Sequence, residues 1–154
     1  MIIALDTTAA ALPVVNGGAS ALGRVVGRTR MGPIMRTVVE IPSEPGFYQA
    51  AVDLLTLANL AEPPPKAALL SGGVRYAQEP YDQEIWQTRP VLDTRGLGDC
   101  EDLAAAYAAE LIRAGTTARA VVVPEGMGPH GGRLFHVVTA TKAGLFDPSK
   151  ELGM

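Results

Sequence analysis

The chain has 154 residues, 47% of them hydrophobic, and a formal net charge of −3 at neutral pH. This length supports one domain with a hydrophobic core and is too short for two ordinary domains. The isoelectric point near 5.3 argues against a basic surface spread over the whole chain, so we expect no nucleic-acid partner.

The N-terminal segment contains an apolar stretch that ends at Ala19-Ser20-Ala21, which is similar to a signal-peptide cleavage site. No basic region precedes this stretch and Asp6 interrupts it, so we expect no secretion by this route. The single cysteine, Cys100, cannot form an internal disulfide. No apolar segment is long enough to cross a bilayer, and we expect a cytoplasmic protein without a membrane partner.

Residues 1–44 are rich in glycine, proline and β-branched residues. They predict three strands, which are Ile2–Leu5, Arg24–Arg28 and Arg36–Ile41. We expect this segment to form an N-terminal β-rich arm or appendage, and residues 45–154 to form the main domain. Four basic residues in the segment indicate a solvated loop or strand face; they are Arg24, Arg28, Arg30 and Arg36.

The next segment predicts a helix from Phe47 to Ala61, which Pro63-Pro64-Pro65 ends. The apolar side of this helix should consist of Phe47, Ala51, Leu54, Leu55, Leu57 and Ala58. From Val74 to Asp93 we expect a mostly irregular chain anchored by aromatic residues, which are Tyr76, Tyr81 and Trp86.

A glycine-rich motif then brings Cys100 to the start of a second helix; it reads Gly96-Leu97-Gly98-Asp99-Cys100-Glu101-Asp102-Leu103-Ala104. We expect Asp99 to be the N-cap and Asp102 to complete a variant of the capping box. Cys100 would then be the first helical residue, where the helix dipole favours a thiolate. The expected apolar stripe is Cys100, Leu103, Tyr107, Leu111 and Ala114, and Gly115 should end the helix.

Three strands should follow this helix, at Thr117–Val123, Leu134–Thr141 and Leu145–Asp147. The glycine-rich loop over residues 124–132 is suited to the rim of a cleft. A helix followed by an antiparallel meander predicts an α+β fold, with the cysteine-bearing helix packed on a small antiparallel sheet.

A nucleophilic cysteine needs a base within hydrogen-bond reach and a third group to orient that base. The candidate bases are His130, in the glycine-rich loop, and His136, on a predicted strand. Asp147 ends the neighbouring strand, so antiparallel pairing would bring it beside His136. We therefore predict a triad of Cys100, His136 and Asp147. His130 is expected to be a solvated loop residue or a substrate contact.

These residues resemble the transglutaminase-like branch of the papain-like superfamily, including its bacterial and phage cysteine-protease members. The resemblance rests on Trp86, on the cysteine motif, on Phe135-His136-Val137-Val138 and on Phe146-Asp147-Pro148-Ser149, in the family's order. It covers roughly residues 46–152. It implies that Cys100 is the nucleophile, His136 the base and Asp147 the orienting acid. It also implies an oxyanion hole built from the Cys100 backbone N–H and an upstream group, for which Trp86 and Gln87 are candidates.

The resulting hypothesis is a cysteine peptidase or deamidase-like hydrolase that cleaves an amide bond of a protein or peptide through an acyl-thioester. Hydrolysis is favoured over amine transfer because nothing in the sequence indicates an acyl-acceptor site. Neither a cofactor nor a metal is expected, since one cysteine and two histidines lack the spacing of a zinc site. Trp86 could instead be a core anchor. An alternative from another class is a structural module, for instance of a phage particle, that assembles through the N-terminal arm.

Overall fold

The computed structural model describes residues 1–8, 23–42, 44–80, 84–127 and 133–154. These residues form an α+β structure, which confirms the predicted class. The strands are β1 (Ile2–Thr8), β2 (Arg24–Met31), β3 (Ile34–Glu40), β4 (Arg75–Tyr76), β5 (Ile85–Gln87), β6 (Leu97–Gly98), β7 (Ala118–Met127), β8 (Arg133–Thr141) and β9 (Gly144–Phe146). The helices are α1 (Pro45–Ala61), α2 (Arg89–Arg95), α3 (Cys100–Arg113) and α4 (Pro148–Glu151), with a 3-10 turn at Leu69–Ser71.

The first sheet has the strand order β2-β3-β1-β5. Strand β1 pairs with β3 in antiparallel fashion and with β5 in parallel fashion, so that Asp6 lies opposite Gln87. Ile3 and Ile41 belong to the same buried cluster as Trp86. The proposed boundary at residue 44 stays a prediction, but backbone hydrogen bonds and core packing run across it.

The second sheet is the predicted meander, β7-β8-β9. Val123 pairs with His136 across β7 and β8, and Thr139 pairs with Phe146 across β8 and β9. Strand β7 is longer than expected because it continues through an irregularity between Pro124 and Gly126. Residues 128–132 of the predicted loop, including His130, lie outside the described residues, and so does the predicted anchor Tyr81.

Helix α3 packs against α1, β7 and β8 at the centre of the molecule. Its end is the predicted glycine cap: Gly115 has a φ of +81°, and Thr116 N donates to Leu111 O at 2.9 Å. The predicted stripe was too narrow, and Ala114 is exposed. The helix is buried on most sides through its small residues, which are Ala104, Ala105, Ala106, Ala108 and Ala109. Their size allows neighbouring elements to approach the helix closely.

The buried face of α1 differs from the expected one. Leu55 and Ala58 are buried as predicted, but Leu54 and Leu57 are 45% and 59% exposed, and Val52 and Asn59 are buried although they were not predicted to be. Asn59 is hydrogen-bonded on this buried face: its amide oxygen accepts the Arg89 backbone N–H at 2.6 Å, and its Nδ2 donates to Leu55 O at 3.0 Å. Burying this polar side chain therefore costs little, since these partners satisfy it.

The segment predicted to be mostly irregular, from Val74 to Asp93, contains β4, β5 and the start of α2. That prediction was wrong for Ile85–Gln87, because this short strand is stabilised by pairing with β1, whose partner residues lie 81 positions earlier in the sequence. In the described part of the chain, no helix combines the length and apolar character required to cross a membrane.

Candidate active site

His136 and Asp147 meet where the meander ends. His136 Nε2 lies 2.9 Å from Asp147 Oδ2, and both side chains are largely buried. The pairing of β8 with β9 fixes this contact, because Asp147 directly follows β9. Burial acts to raise the pKa of Asp147, but the hydrogen bond and charge of His136 outweigh it and lower that pKa. The carboxylate therefore stays ionised and is an acceptor for a hydrogen on Nε2; in that tautomer Nδ1 is the nitrogen that can act as a base.

Cys100 is the first residue of α3, as predicted. Its Sγ receives a hydrogen bond from the backbone N–H of Val137, the residue after His136 in β8. Strand β9 pairs only with Thr139–Thr141, so this part of β8 has an edge that the sulfur can approach. The structure thus brings the nucleophile candidate to the strand that carries the base candidate.

The protonation of Cys100 differs from the expectation. Burial raises the pKa of the thiol far above its usual value, and the carboxyl groups of Glu101 and Asp99 raise it further. The thiol donates to Glu101 Oε2 at 3.1 Å. The predicted preference for a thiolate is therefore wrong in this resting state, because burial of the sulfur and, after it, two neighbouring carboxyl groups oppose the partial charge of the helix terminus.

Further carboxyl groups surround this position. Glu84 hydrogen-bonds to Glu101, and burial together with the charge of Glu101 raises the pKa of Glu84 to about 7. Burial also raises the pKa of Glu79 to about 7, although its bond from the Ile85 N–H opposes the increase. At neutral pH these two groups are therefore partly protonated, and the site holds less negative charge than its sequence indicates.

The expected capping box is absent from the start of α3. Asp99 is the N-cap but makes no side-chain capping bond, and its Oδ1 has no hydrogen-bond partner among the described residues. Asp102 instead accepts two hydrogen bonds from Gln87, from the backbone N at 2.6 Å and from Nε2 at 2.9 Å. Asp102 therefore connects α3 to β5 and does not satisfy its own helix terminus.

The same bonds bear on the candidate oxyanion groups. Gln87 Nε2 also donates to Leu97 O at 3.3 Å, so its three N–H groups are directed at protein acceptors. Trp86 is 2% exposed in the core, and its Nε1 donates to Glu84 Oε2 at 3.2 Å. Both residues lie near the cysteine helix, but their N–H groups are already bonded. Of the two interpretations of Trp86, its burial in the hydrophobic core agrees with the core anchor.

The sequence analysis did not identify two residues near the thiol, Glu101 and Tyr48. Glu101 contacts the sulfur, and the Tyr48 hydroxyl donates to Glu101 Oε1 at 3.4 Å. The Tyr48 ring packs edge-on against Trp86, with centroids 5.4 Å apart, and stacks on Phe135. The acidic run Asp99-Cys100-Glu101-Asp102 was the available signal for Glu101, whereas no local pattern identifies Tyr48.

Within the described residues, no group of three or more His, Cys, Asp or Glu side chains is arranged to hold a metal ion. The chain matches no protein-family model, no curated protein and no solved structure.

Proposed function

We propose that this protein is a thiol-dependent amide hydrolase, a cysteine peptidase or a deamidase, of the transglutaminase-like, papain-like type. The observation that carries the proposal is the 2.9 Å contact between His136 Nε2 and Asp147 Oδ2. This contact orients the imidazole of His136. The next residue of the same strand, Val137, donates its backbone N–H to the Cys100 sulfur. A nucleophile, a base and a group that orients the base are the three components that this chemistry needs.

In the proposed reaction, His136 Nδ1 takes the thiol proton as the sulfur attacks the carbonyl carbon of an amide. The C–N bond of the tetrahedral intermediate then breaks, and the leaving amine takes the proton from His136. A thioester on Cys100 remains. Water attacks it after giving a proton to His136, and the C–S bond breaks to release a carboxylic acid and the thiol. Asp147 stabilises the imidazolium that forms in each half of the reaction.

The oxyanion of each tetrahedral intermediate requires hydrogen-bond donors. The Cys100 backbone N–H is one candidate, because the first N–H groups of a helix have no acceptor within that helix. Gln87 is a poor second donor, since its N–H groups bond to Asp102 and Leu97 O. We therefore assign the first turn of α3 as the principal oxyanion donor.

The test uses a fluorescent casein for peptidase activity and a glutamine-containing peptide, followed by mass spectrometry, for deamidation. We expect Cys100→Ala to abolish turnover and His136→Ala to reduce it at least 100-fold. A matched control is Glu40→Gln, which removes only a surface carboxylate paired with Arg24. Undiminished turnover in Cys100→Ala would remove the proposed mechanism, and so would no turnover of either substrate by the unaltered protein.

A further inference from the structure

A chain of polar contacts links the N-terminal strand to the helix that carries Cys100. The Arg95 guanidinium donates through Nη2 to Asp6 Oδ2 at 2.7 Å and through Nη1 to Gln87 Oε1 at 2.9 Å. Gln87 then donates to both oxygens of Asp102. Asp102 lies two residues after Cys100, in the first turn of α3.

The two carboxyl groups at the ends of this series of contacts are inaccessible to solvent. Asp6 and Asp102 each have 0% exposure. A buried carboxylate is costly unless charges or hydrogen bonds compensate it. Asp6 has two guanidinium partners, Arg36 and Arg95, whereas among the described residues the hydrogen bonds to the Asp102 carboxyl group come from Gln87. The orientation of the Gln87 amide therefore determines how well Asp102 is satisfied.

Arg95 fixes that orientation. Because its Nη1 binds the amide oxygen of Gln87, the amide nitrogen must face Asp102 and Leu97 O. The parallel pairing of Asp6 with Gln87 holds the two ends of the contact in register, and Thr88 N donates to Asp6 O at 2.9 Å. Charged hydrogen bonds of this geometry are about twice as strong as neutral ones.

We propose that Arg95, held by Asp6, is a positioning residue that acts through Gln87 and Asp102 to place Cys100 against His136. This inference rests on the proposed function, because it concerns the reaction of the thiol with its base. It assigns a role in the active site to Asp6, which belongs to the segment first expected to be an appendage.

Arg36 provides a matched control. Arg36 and Arg95 bind the same carboxylate oxygen at 2.8 and 2.7 Å, and their side chains are 28% and 32% exposed. Both also act electrostatically on Glu79. Arg36 Nη2 and Nε both bind Asp6, whereas Arg95 also binds Gln87. Comparing Arg36→Gln with Arg95→Gln therefore separates the contact to Gln87 from the loss of one positive charge.

The experiment measures the rate at which iodoacetamide alkylates Cys100 in the full chain at pH 7.5. The sulfur displaces iodide and its proton passes to His136 or solvent, and each adduct reports Cys100 because the chain has one cysteine. Each arginine variant is made in the unaltered chain and in His136→Ala. We expect Arg95→Gln to slow alkylation about tenfold in the unaltered chain and less than about twofold in His136→Ala, since neighbouring residues couple.

Arg36→Gln should change the rate less than about twofold in both backgrounds. Equal effects of the two arginine variants, or an equal effect of Arg95→Gln with and without His136, would overturn the positioning role. If Arg95→Gln does not fold by circular dichroism, Gln87→Met provides the same comparison, since it removes the amide and keeps the volume. If His136→Ala alone leaves the rate unchanged, the proposed function itself is overturned.

Discussion

Replacing Glu101 by Gln should make Cys100 more reactive. The substitution keeps the size of the side chain and the acceptor for Tyr48, and removes a negative charge whose Oε2 lies 3.1 Å from the sulfur. A nearby negative charge disfavours a thiolate, so its removal lowers the pKa of the thiol. The Gln amide can also donate to the thiolate, which acts in the same direction.

The size of the effect follows from the distance. Two unit charges 3.1 Å apart interact by about 5 kcal/mol at an effective dielectric constant of about 20. The Cys100 residue is partly exposed, so solvent screens this interaction. Charges at such distances typically shift a pKa by about one to three units. We therefore expect the pKa of the Cys100 thiol to be lower by about one to two units in Glu101→Gln than in the unaltered protein.

The assay is the iodoacetamide rate followed by intact-mass spectrometry between pH 6 and pH 11. In Glu101→Gln the rate should rise at lower pH than in the unaltered protein, with about tenfold faster alkylation at pH 8. Glu40→Gln, a surface carboxylate paired with Arg24, serves as the control and should leave the profile unchanged. A Glu101→Gln profile that coincides with the unaltered one, or moves to higher pH, would refute the electrostatic account.

Three further predictions concern Asp147, Glu84 and Gly98. If the proposed mechanism holds, Asp147→Asn should reduce turnover by about 10²- to 10⁴-fold by releasing the His136 imidazole, whereas Lys150→Met removes a cation 3.5 Å from the same carboxylate and should have less than a twofold effect. Equal losses would contradict the orienting role. Burial raises the pKa of the Glu84 carboxyl group from its ordinary value of 4.5 to about 7 in the folded protein, so the stability of the fold should decrease as the pH rises between these two values. The loss of folding free energy on ionising Glu84 would be roughly 3 kcal/mol if the group were fully buried, and its partial exposure reduces this to about 1 to 2 kcal/mol. The melting temperature of Glu84→Gln should therefore depend less steeply on pH than that of the unaltered protein. An unchanged slope would contradict this prediction. Gly98→Ala should destabilise the fold by about 1 to 3 kcal/mol in a urea titration, because the added methyl group overlaps the Leu92 side chain; an unaltered midpoint would count against that packing.

The contact between His136 and Asp147 was predictable because the information for it is local. Only a short turn separates β8 from β9, so the register of the two strands follows from the sequence between them. The position of Cys100 was predictable for the same reason, since glycine and aspartate mark the start of α3 within a few residues.

The environment of the thiol was not predictable in the same way. Burial by residues from elsewhere in the chain has the largest effect on the thiol, and its neighbour Glu101 is contacted by Tyr48 and Glu84, which are distant in sequence. Asp102 fits a capping box by sequence, yet β5 offers it two N–H donors and removes it from that role. Strand β5 is stabilised by its pairing with β1, and a pattern of three residues cannot reveal a partner 81 positions away.

The resting protonation of Cys100 follows from comparing two opposing effects at the start of α3. A helix terminus contributes about 0.3 to 1 kcal/mol toward an adjacent negative charge, and rarely about 2. A carboxylate in contact with the sulfur opposes that charge by about 5 kcal/mol before screening. Burial of the thiol has the largest influence on its pKa and acts in the same direction as the nearby carboxyl groups, so the proton stays on the sulfur. In the proposed reaction His136 must then remove this proton during attack and not before it, which is why the placement of the thiol against its base matters more here than the helix position alone.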